Sequence, residues 1–408
     1  MQNRSGPDGS GRFGALPPSP FVRLRALLDD VTPAQAPVSL AVGEPRHAPP
    51  PEVLQALSAA RDSYAKYPPI DGTAQWRSAV AGWLSRRFDL ATDVLDEATQ
   101  ILPVNGTREG LFMAAQIAPQ KPDGVVLMPN PFYQVYAAAA LCAGAQPVYL
   151  PTTAATGHLP DLDALAPELL ARAQAFYFCS PANPQGAVAD ARYLARLLEL
   201  ARAHNFLLVV DECYAEIYDQ TPPPSALQLM QASGDNDLPL MVFHSLSKRS
   251  NLPGLRSGFC AGGRSVMAAM AALRAIAGPQ SPLAVQHAAA LAWSDDAHVH
   301  ENRQKYREKF TAAETIFAGA YDFYRPAGGF FLWLNVGDGE AAARHLWASQ
   351  GVRVLPGAYL ARHDARGDNP AHSYIRIALV DEQETMMAAL KRLKDGLESY
   401  NLGTKGAA

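Results

Sequence analysis

The chain has 408 residues, 48% of them hydrophobic and 18% charged, which is too apolar for a disordered polypeptide and long enough for two domains. Its 35 Lys and Arg against 39 Asp and Glu give a formal net charge of −4, so no global basic field holds nucleic acid or an anionic membrane, and a small polar partner fits better. Four separated cysteines, Cys142, Cys179, Cys213 and Cys260, form no C-x-x-C pair and have no histidine beside them; reduced thiols and no metal site are expected.

Residues 1–20 lack the apolar core of a signal peptide and read as a flexible leader of a cytoplasmic protein. An N-terminal segment, 21–48, carries Gly43-Glu44-Pro45-Arg46 and is expected to pack with the C-terminal domain. From 49 to 295, short apolar runs alternate with alanine- and leucine-rich segments, the rhythm of a βαβ architecture. Strands are expected at Gly124–Met128, Pro147–Leu150, Ala175–Cys179, Phe206–Val210, Met241–Phe243 and Ser257–Ala261, and helices at Arg108–Ile117, Tyr133–Ala143 and Ala191–His204. Strands so continuously apolar need cover on both faces. Two stretches without charge, 124–160 and 275–294, are broken by prolines and glutamines and read as core, not membrane spans. From 296 to 408 the pattern changes to a charged helix, His298–Phe317, then PAGGFFLWLNV, a helix near Glu340–Gln350, a short VRVLPG strand and SYIRIALV. The expected fold class is α/β: a large domain with a mostly parallel sheet covered by helices, plus a smaller α+β domain.

Five motifs carry chemistry. Lys248 in Ser245-Leu-Ser-Lys-Arg249 follows a buried strand, where desolvation and the cations Arg249 and Arg256 can strip its proton and leave an amine able to attack a carbonyl; alone, such a lysine is a solvated surface residue. Asp211, after FLLVV, sits at the strand end where open α/β sheets bind ligands, and if buried it needs a cationic or protonated partner; alone, it is as well read as a helix N-cap. Asn105-Gly106-Thr107-Arg108 opens a helix whose free N–H groups suit a phosphate, though it is also an ordinary turn and cap. Asn183 in Ser180-Pro-Ala-Asn-Pro-Gln-Gly186 offers an amide that can donate to a ring oxygen. Tyr133 and Tyr136 offer aromatic faces for stacking, or for core packing.

Taken together, Asn-Gly-Thr-x-Glu, Pro-x-Tyr-x-x-Tyr, Asn-Pro-x-Gly, Asp-x-x-Tyr, Ser-x-Ser-Lys and an Arg eight residues later resemble the fold-type-I pyridoxal-phosphate aminotransferases, the aspartate aminotransferase-like group. The resemblance runs from about Leu40 to Leu393 and includes Gly43-Glu-Pro, Tyr67-Pro, Pro326-Ala-Gly-Gly329 and Arg376. It implies pyridoxal 5′-phosphate as cofactor. Lys248 resembles the lysine that links covalently to the cofactor aldehyde and then shuttles a proton at the substrate Cα. Asp211 resembles the carboxylate that keeps the pyridine nitrogen protonated. Asn183 and Tyr214 resemble the pair on the phenolic oxygen, and Tyr133 the stacking ring. Gly106, Thr107, Ser245 and Arg256 match the phosphate cradle, with Arg108 adding a backbone N–H. Tyr67 resembles the tyrosine that reaches a neighbouring subunit's phosphate, which implies a homodimer with shared active sites. Arg376 resembles the arginine that forks the substrate α-carboxylate, with Gly43 beside it. Gln185 stands where Ser or Thr more usually precedes the glycine; the turn is set by backbone shape, so little consequence is expected.

A narrower resemblance joins VNGTREGLF, PNPFYQVY, DECYAEIY, SLSKRSNLPGLRSGF and PAGGFFLWLNV, together with GVRVLPGAYLAR, to bacterial N-succinyl-LL-2,6-diaminopimelate aminotransferases of lysine biosynthesis. A substrate with three carboxylates needs cations beyond Arg376, for which Arg46 and Arg249 are available, each also readable as a surface or structural arginine. Competing readings are another amino-acid aminotransferase for aspartate, aromatic or kynurenine-type substrates, a pyridoxal-phosphate C–S lyase, and a non-catalytic regulatory binding domain. The partners implied are small amino and keto acids, with neither nucleic acid nor membrane.

Overall fold

Uncharged runs such as 125–128, 175–179 and 207–210 cannot leave either face in water, and they form the middle of a seven-stranded sheet. The computed structural model describes residues 14, 16, 18–364 and 366–406, so most of the expected leader lies outside the described residues. In chain order the strands are β1 (Val38–Ser39), β2 (Ile101–Val104), β3 (Val125–Asn130), β4 (Gln146–Pro151), β5 (Ala173–Cys179), β6 (Leu207–Asp211), β7 (Leu240–Ser245), β8 (Gly258–Gly262), β9 (Phe331–Asn335), β10 (Val352–Arg353), β11 (Leu355–Pro356) and β12 (Tyr374–Ala378).

The large sheet has the order β2-β8-β7-β6-β5-β3-β4. Its strands from β7 to β4 run parallel, while β8 is antiparallel to both β7 and β2. Alternation along each strand feeds two cores. Leu127, Phe178 and Val210 face Trp76 and Trp83 of the helix Ala74–Phe88, whereas Met128, Tyr177 and Val209 face Leu111 and Tyr136 from the helices Thr107–Ala114 and Gln134–Cys142. Removing a ring such as Trp83, 1% exposed, costs about 3–5 kcal/mol. The second body holds the antiparallel sheet β11-β12-β9 under the helices Ala297–Phe317, Gly339–Gln350 and Gln383–Gly406, with Phe310, Leu334, Leu346, Ile375 and Leu390 at its centre. The architecture is α/β, as expected from the sequence.

The N-terminal segment joins this second body. The helix Pro20–Leu28 starts with a proline in its first turn and a Ser19 cap. It packs Leu24 and Leu28 into a cluster with Trp333 and Trp347. Beyond it, β1 pairs in parallel with β10.

Two details differ from the sequence reading. VRVLPG is not one strand: β10 pairs with β1 and β11 with β12, and Pro356 lacks the N–H that would extend the ladder. Ile101–Val104 is a strand despite Pro103, because β2 is an edge strand with β8 as its one neighbour in the sheet.

This topology places the chemistry. The carboxyl ends of β2, β3, β5, β6 and β7 lie along one edge and lead to Gly106, Tyr133, Asn183, Asp211 and Lys248. Because β8 runs the other way, its beginning lies at that same edge and delivers Arg256. Among the described residues no helix is long and apolar enough to cross a membrane, and no group of His, Cys, Asp and Glu could hold a metal ion.

Candidate active site

A cleft of about 330 Å³ opens along the strand ends. At one end Gly106, at φ +78°, turns the chain into the helix Thr107–Ala114, a conformation cheap for glycine alone. A Cβ there would stand 2.1 Å from Arg256 Nη2, so the missing side chain lets the guanidinium close over the helix start. Arg256 donates to the Asn105 carbonyl at 3.3 Å and the Pro253 carbonyl at 2.9 Å. Ser245 Oγ accepts the Ser247 N–H at 3.1 Å and donates to Ser247 Oγ at 3.0 Å. Hydroxyls of Thr107, Ser245 and Ser247, a helix N-terminus and a guanidinium thus line one wall of the cleft, a set that suits a phosphate dianion.

Lys248 lies on the short helix Leu246–Arg249 directly after β7. Its amine donates to the Gly43 carbonyl and stands 5.2 Å from the centre of the Phe330 ring. Burial pushes this amine down to about 8, and the cations of Arg376 and Arg256 act in the same direction. Asp211 ends β6 at 5% exposure. It accepts from the Tyr136 hydroxyl at 2.9 Å and from the Cys213 backbone N–H at 3.2 Å. Burial raises its pKa, and among the described residues no cation stands within ion-pair distance. A buried carboxylate without a cation calls for a protonated group facing it from the cleft.

The far wall comes from the second body. Arg376, on β12 and 4% exposed, donates to Asn183 Oδ1 at 3.0 Å and to the Ala41 carbonyl at 2.7 Å, with its guanidinium 4.3 Å from the Phe331 ring centre. Burial lowers it to about 10, still charged at neutral pH. Its Nε is buried without a partner. Tyr214 is wedged edge-on between Phe330 and Phe331 at 5.4 and 5.9 Å, and burial pushes its phenol up. Gly43 leaves room for Phe331, since a Cβ would stand 2.5 Å from its Cζ.

The cleft therefore brings together Gly43, Thr107, Arg108, Tyr133, Asn183, Asp211, Tyr214, Ser245, Lys248, Arg256 and Arg376, with Gly106 just outside the lining, one residue before Thr107. Three expected residues lie elsewhere. Arg46 forms an ion pair with Asp381 and does not line the cleft; its side chain is directed at a neighbour that neutralises it. Arg249 is 2% exposed, donates to the Ala292 and Asp295 carbonyls and to Asp296, and packs against Trp83 and Trp293. It can neither meet a substrate carboxylate nor bear on Lys248 from the cleft side. Tyr67 is 97% exposed and outside the cleft of its own chain.

Sequence reasoning passed over Ser247, Cys213, the donor role of Tyr136 and the Arg108 side chain. Cys213 and Ser247 sit inside quoted motifs, so their adjacency to Asp211 and Lys248 was a usable signal. Arg108 Nε donates to the Tyr133 hydroxyl at 2.5 Å. Its guanidinium stands at the exposed mouth of the cleft with no carboxylate in ion-pair reach among the described residues.

The model of the family "Aminotransferase class I and II" matches residues 36–393. The chain is 32% identical over 357 residues to the 4-dedimethylamino-4-oxo-anhydrotetracycline transaminase OxyQ of Streptomyces rimosus, covering 87% of this chain and 92% of that one. It is 30% identical over 397 residues to the LL-diaminopimelate aminotransferase of Aquifex aeolicus, covering 95% and 98%. Among solved structures, an aminotransferase from Neisseria meningitidis superposes with a TM-score of 0.89 at 36% identity, covering 95% and 99% of the two chains. A probable N-succinyldiaminopimelate aminotransferase from Thermus thermophilus superposes with 0.81 at 25% identity, covering 93% and 100%.

Proposed function

Because the chain belongs to the class I and II aminotransferases, a family that works with pyridoxal phosphate, we propose that it moves an amino group between glutamate and the ε-position of N-succinyl-LL-2,6-diaminopimelate. The residues fit the cofactor: Asp211 is a buried carboxylate lacking a cation, and the Gly106 turn leaves an anion cradle that a side chain would fill. Bound, pyridoxal phosphate supplies an aldehyde that carries the amino group between substrates and a ring that withdraws electrons from the substrate Cα. Lys248 holds that aldehyde through its neutral amine and afterwards moves the proton at the substrate Cα. Asp211 would hold a proton at the ring nitrogen, Asn183 and Tyr214 would orient the phenolic oxygen, and Tyr133 would offer its ring for stacking. Thr107, Ser245, Arg256 and the Arg108 backbone N–H bind the phosphate. Arg376, prepositioned by Asn183 and Ala41, offers its fork to the α-carboxylate.

The substrate reading rests on Arg108. A succinylated diaminopimelate carries more carboxylates than Arg376 can hold, and Arg108 is a cation at the cleft mouth with no acidic partner among the described residues, steadied by Tyr133. It takes the distal role that Arg46 and Arg249 cannot fill. A second reading, free LL-diaminopimelate, is favoured by the Aquifex aeolicus relative. Tyr67, exposed with Tyr64 nearby at 62%, is assigned to the phosphate site of a partner in a homodimer.

Half-transamination spectra of the purified protein test this directly. Glutamate and N-succinyl-LL-diaminopimelate should each convert the bound cofactor, and Arg108→Ala should raise KM for the succinylated substrate about tenfold while glutamate changes by less than about twofold. Preference for the free diamino acid would support the second reading, and no conversion by either form would overturn both.

A further inference from the structure

Lys309, on the helix Ala297–Phe317, is 1% exposed and takes no part in the chemistry above. Its amine donates to His47 Nε2 at 2.6 Å and to the Leu379 carbonyl at 3.2 Å. Burial lowers this amine to about 8, which leaves it mostly protonated at neutral pH. An ammonium has no lone pair to offer, so Nε2 accepts and the imidazole proton sits on Nδ1. Nδ1 donates in turn to Asn302 Oδ1 at 2.8 Å, and the same oxygen accepts from Asn251 Nδ2 at 3.2 Å. His47, Asn302 and Asn251 are all buried, so water does not compete for these bonds.

The two donors that meet at Asn302 belong to the two segments that carry Lys248 and its acceptor. Asn251 follows Lys248 by three residues, at a left-handed turn of φ +53° just after the short helix Leu246–Arg249. His47 follows Gly43 by four residues, and the Gly43 carbonyl receives the Lys248 amine. One side-chain oxygen from the second body thus ties the chain that bears the amine to the chain that bears its acceptor. We propose that Asn302 is a positioning residue for Lys248, its Oδ1 holding the Gly43 segment against the lysine-bearing helix so that the amine stays aimed into the cleft. The inference rests on the reading above, in which Lys248 holds the cofactor aldehyde.

Asn302→Leu keeps the volume and removes the acceptor, whereas Asn302→Asp keeps an oxygen that serves both donors. At about pH 9, where the Lys248 amine is mostly neutral, cofactor-free Asn302→Leu should take up pyridoxal phosphate at a limiting rate about tenfold below wild type, and Asn302→Asp within about threefold of it. His47→Phe, which keeps a ring beside Tyr306, should slow uptake as much as Asn302→Leu, and the double variant no further, because both cut one chain. In protein labelled with nitrogen-15 at histidine, Nδ1 of His47 should be the protonated ring nitrogen, with a hydrogen-bonded proton shift that Asn302→Leu abolishes and Asn302→Asp keeps. Phe310→Leu, a change in the core of the same body, controls for lost stability. Uptake by Asn302→Leu within about twofold of wild type, an unprotonated His47 Nδ1, equal slowing by the Leu and Asp variants, or the same slowing in Phe310→Leu would each overturn the proposal, the last two by showing a space-filling or folding role. Borohydride reduction that fixes the cofactor to a lysine other than Lys248 would overturn the reading of Lys248 itself, and this inference with it.

Discussion

Tyr136 and Asp211 stand 75 residues apart in the chain and meet across 2.9 Å, hydroxyl to carboxylate, with both side chains buried. The tyrosine comes from the helix after β3 and the aspartate from the end of β6, so the contact ties a covering helix to the chemical edge of the sheet.

Tyr136→Phe removes that donor and leaves the shape almost unchanged. A buried charged acceptor losing one hydrogen bond costs about 1.5–3 kcal/mol, to be read from the urea midpoint. The Asp211 pKa, already raised by burial, rises further, so the carboxylate is lost sooner on acidification. The acid limb of the pH–activity profile should move to higher pH.

Lys248 gives a pH dependence of its own. Its amine is mostly protonated below about 8 and mostly neutral above, and only the neutral amine attacks an aldehyde. Reloading of cofactor-free protein with pyridoxal phosphate, followed by absorbance, should accelerate as pH rises and reach half its limiting rate near pH 8. A rate still climbing steeply at the ordinary lysine range would show that burial does not lower this amine.

Gly106→Ala tests the cradle. The new Cβ falls on Arg256 Nη2, and φ +78°, ψ 148° is a backbone conformation almost confined to glycine, costing a residue with a side chain about 1–3 kcal/mol. Arg256 can swing away but then no longer closes over the helix start. Equilibrium dialysis should show the cofactor dissociation constant rising about tenfold to a hundredfold, the equivalent of a charged hydrogen bond, while the melting temperature falls little.

Arg249→Ala should behave oppositely. It strips the carbonyls of Ala292 and Asp295 of their donor and opens space between Trp83 and Trp293, at a cost of about 3 kcal/mol. Denaturant unfolding should register that loss, whereas the glutamate KM of the surviving folded enzyme stays within about twofold.

The contrast between Lys248 and Arg249 marks how far sequence could be read. An apolar strand followed by small polar residues announces a strand end, and strand ends of a parallel sheet converge, so Asp211, Asn183 and Lys248 could be placed together before any coordinates. The direction of a long side chain is another matter. Adjacent helical residues point about 100° apart, which sends Lys248 into the cleft and Arg249 behind it among tryptophans. Arg46 was equally out of reach, because its partner Asp381 lies 335 residues away. The β2 strand was hidden by Pro103, whose cost vanishes only once β2 is known to be at an edge, and the break within VRVLPG depends on β1, a partner from the opposite end of the chain.

That last pairing bears on the order of assembly. β1 meets β10, and Leu24 and Leu28 cover Trp347, although more than 300 residues separate the partners. During synthesis the segment from Pro20 to Gly43 emerges well before β10 and Trp347 exist for it to rest on, and the large sheet can form in the meantime. Closing so long a loop is slow, so the clasp between β1 and β10 forms late. A two-residue ladder over a small apolar cluster also holds less buried surface than the seven-stranded sheet, so under mild denaturant it is expected to open before the sheet gives way. Gly43 and Ala41, whose carbonyls receive Lys248 and Arg376, sit just beyond this clasp, so loosening the ends of the chain slackens the grip on the reacting groups while most of the fold still stands.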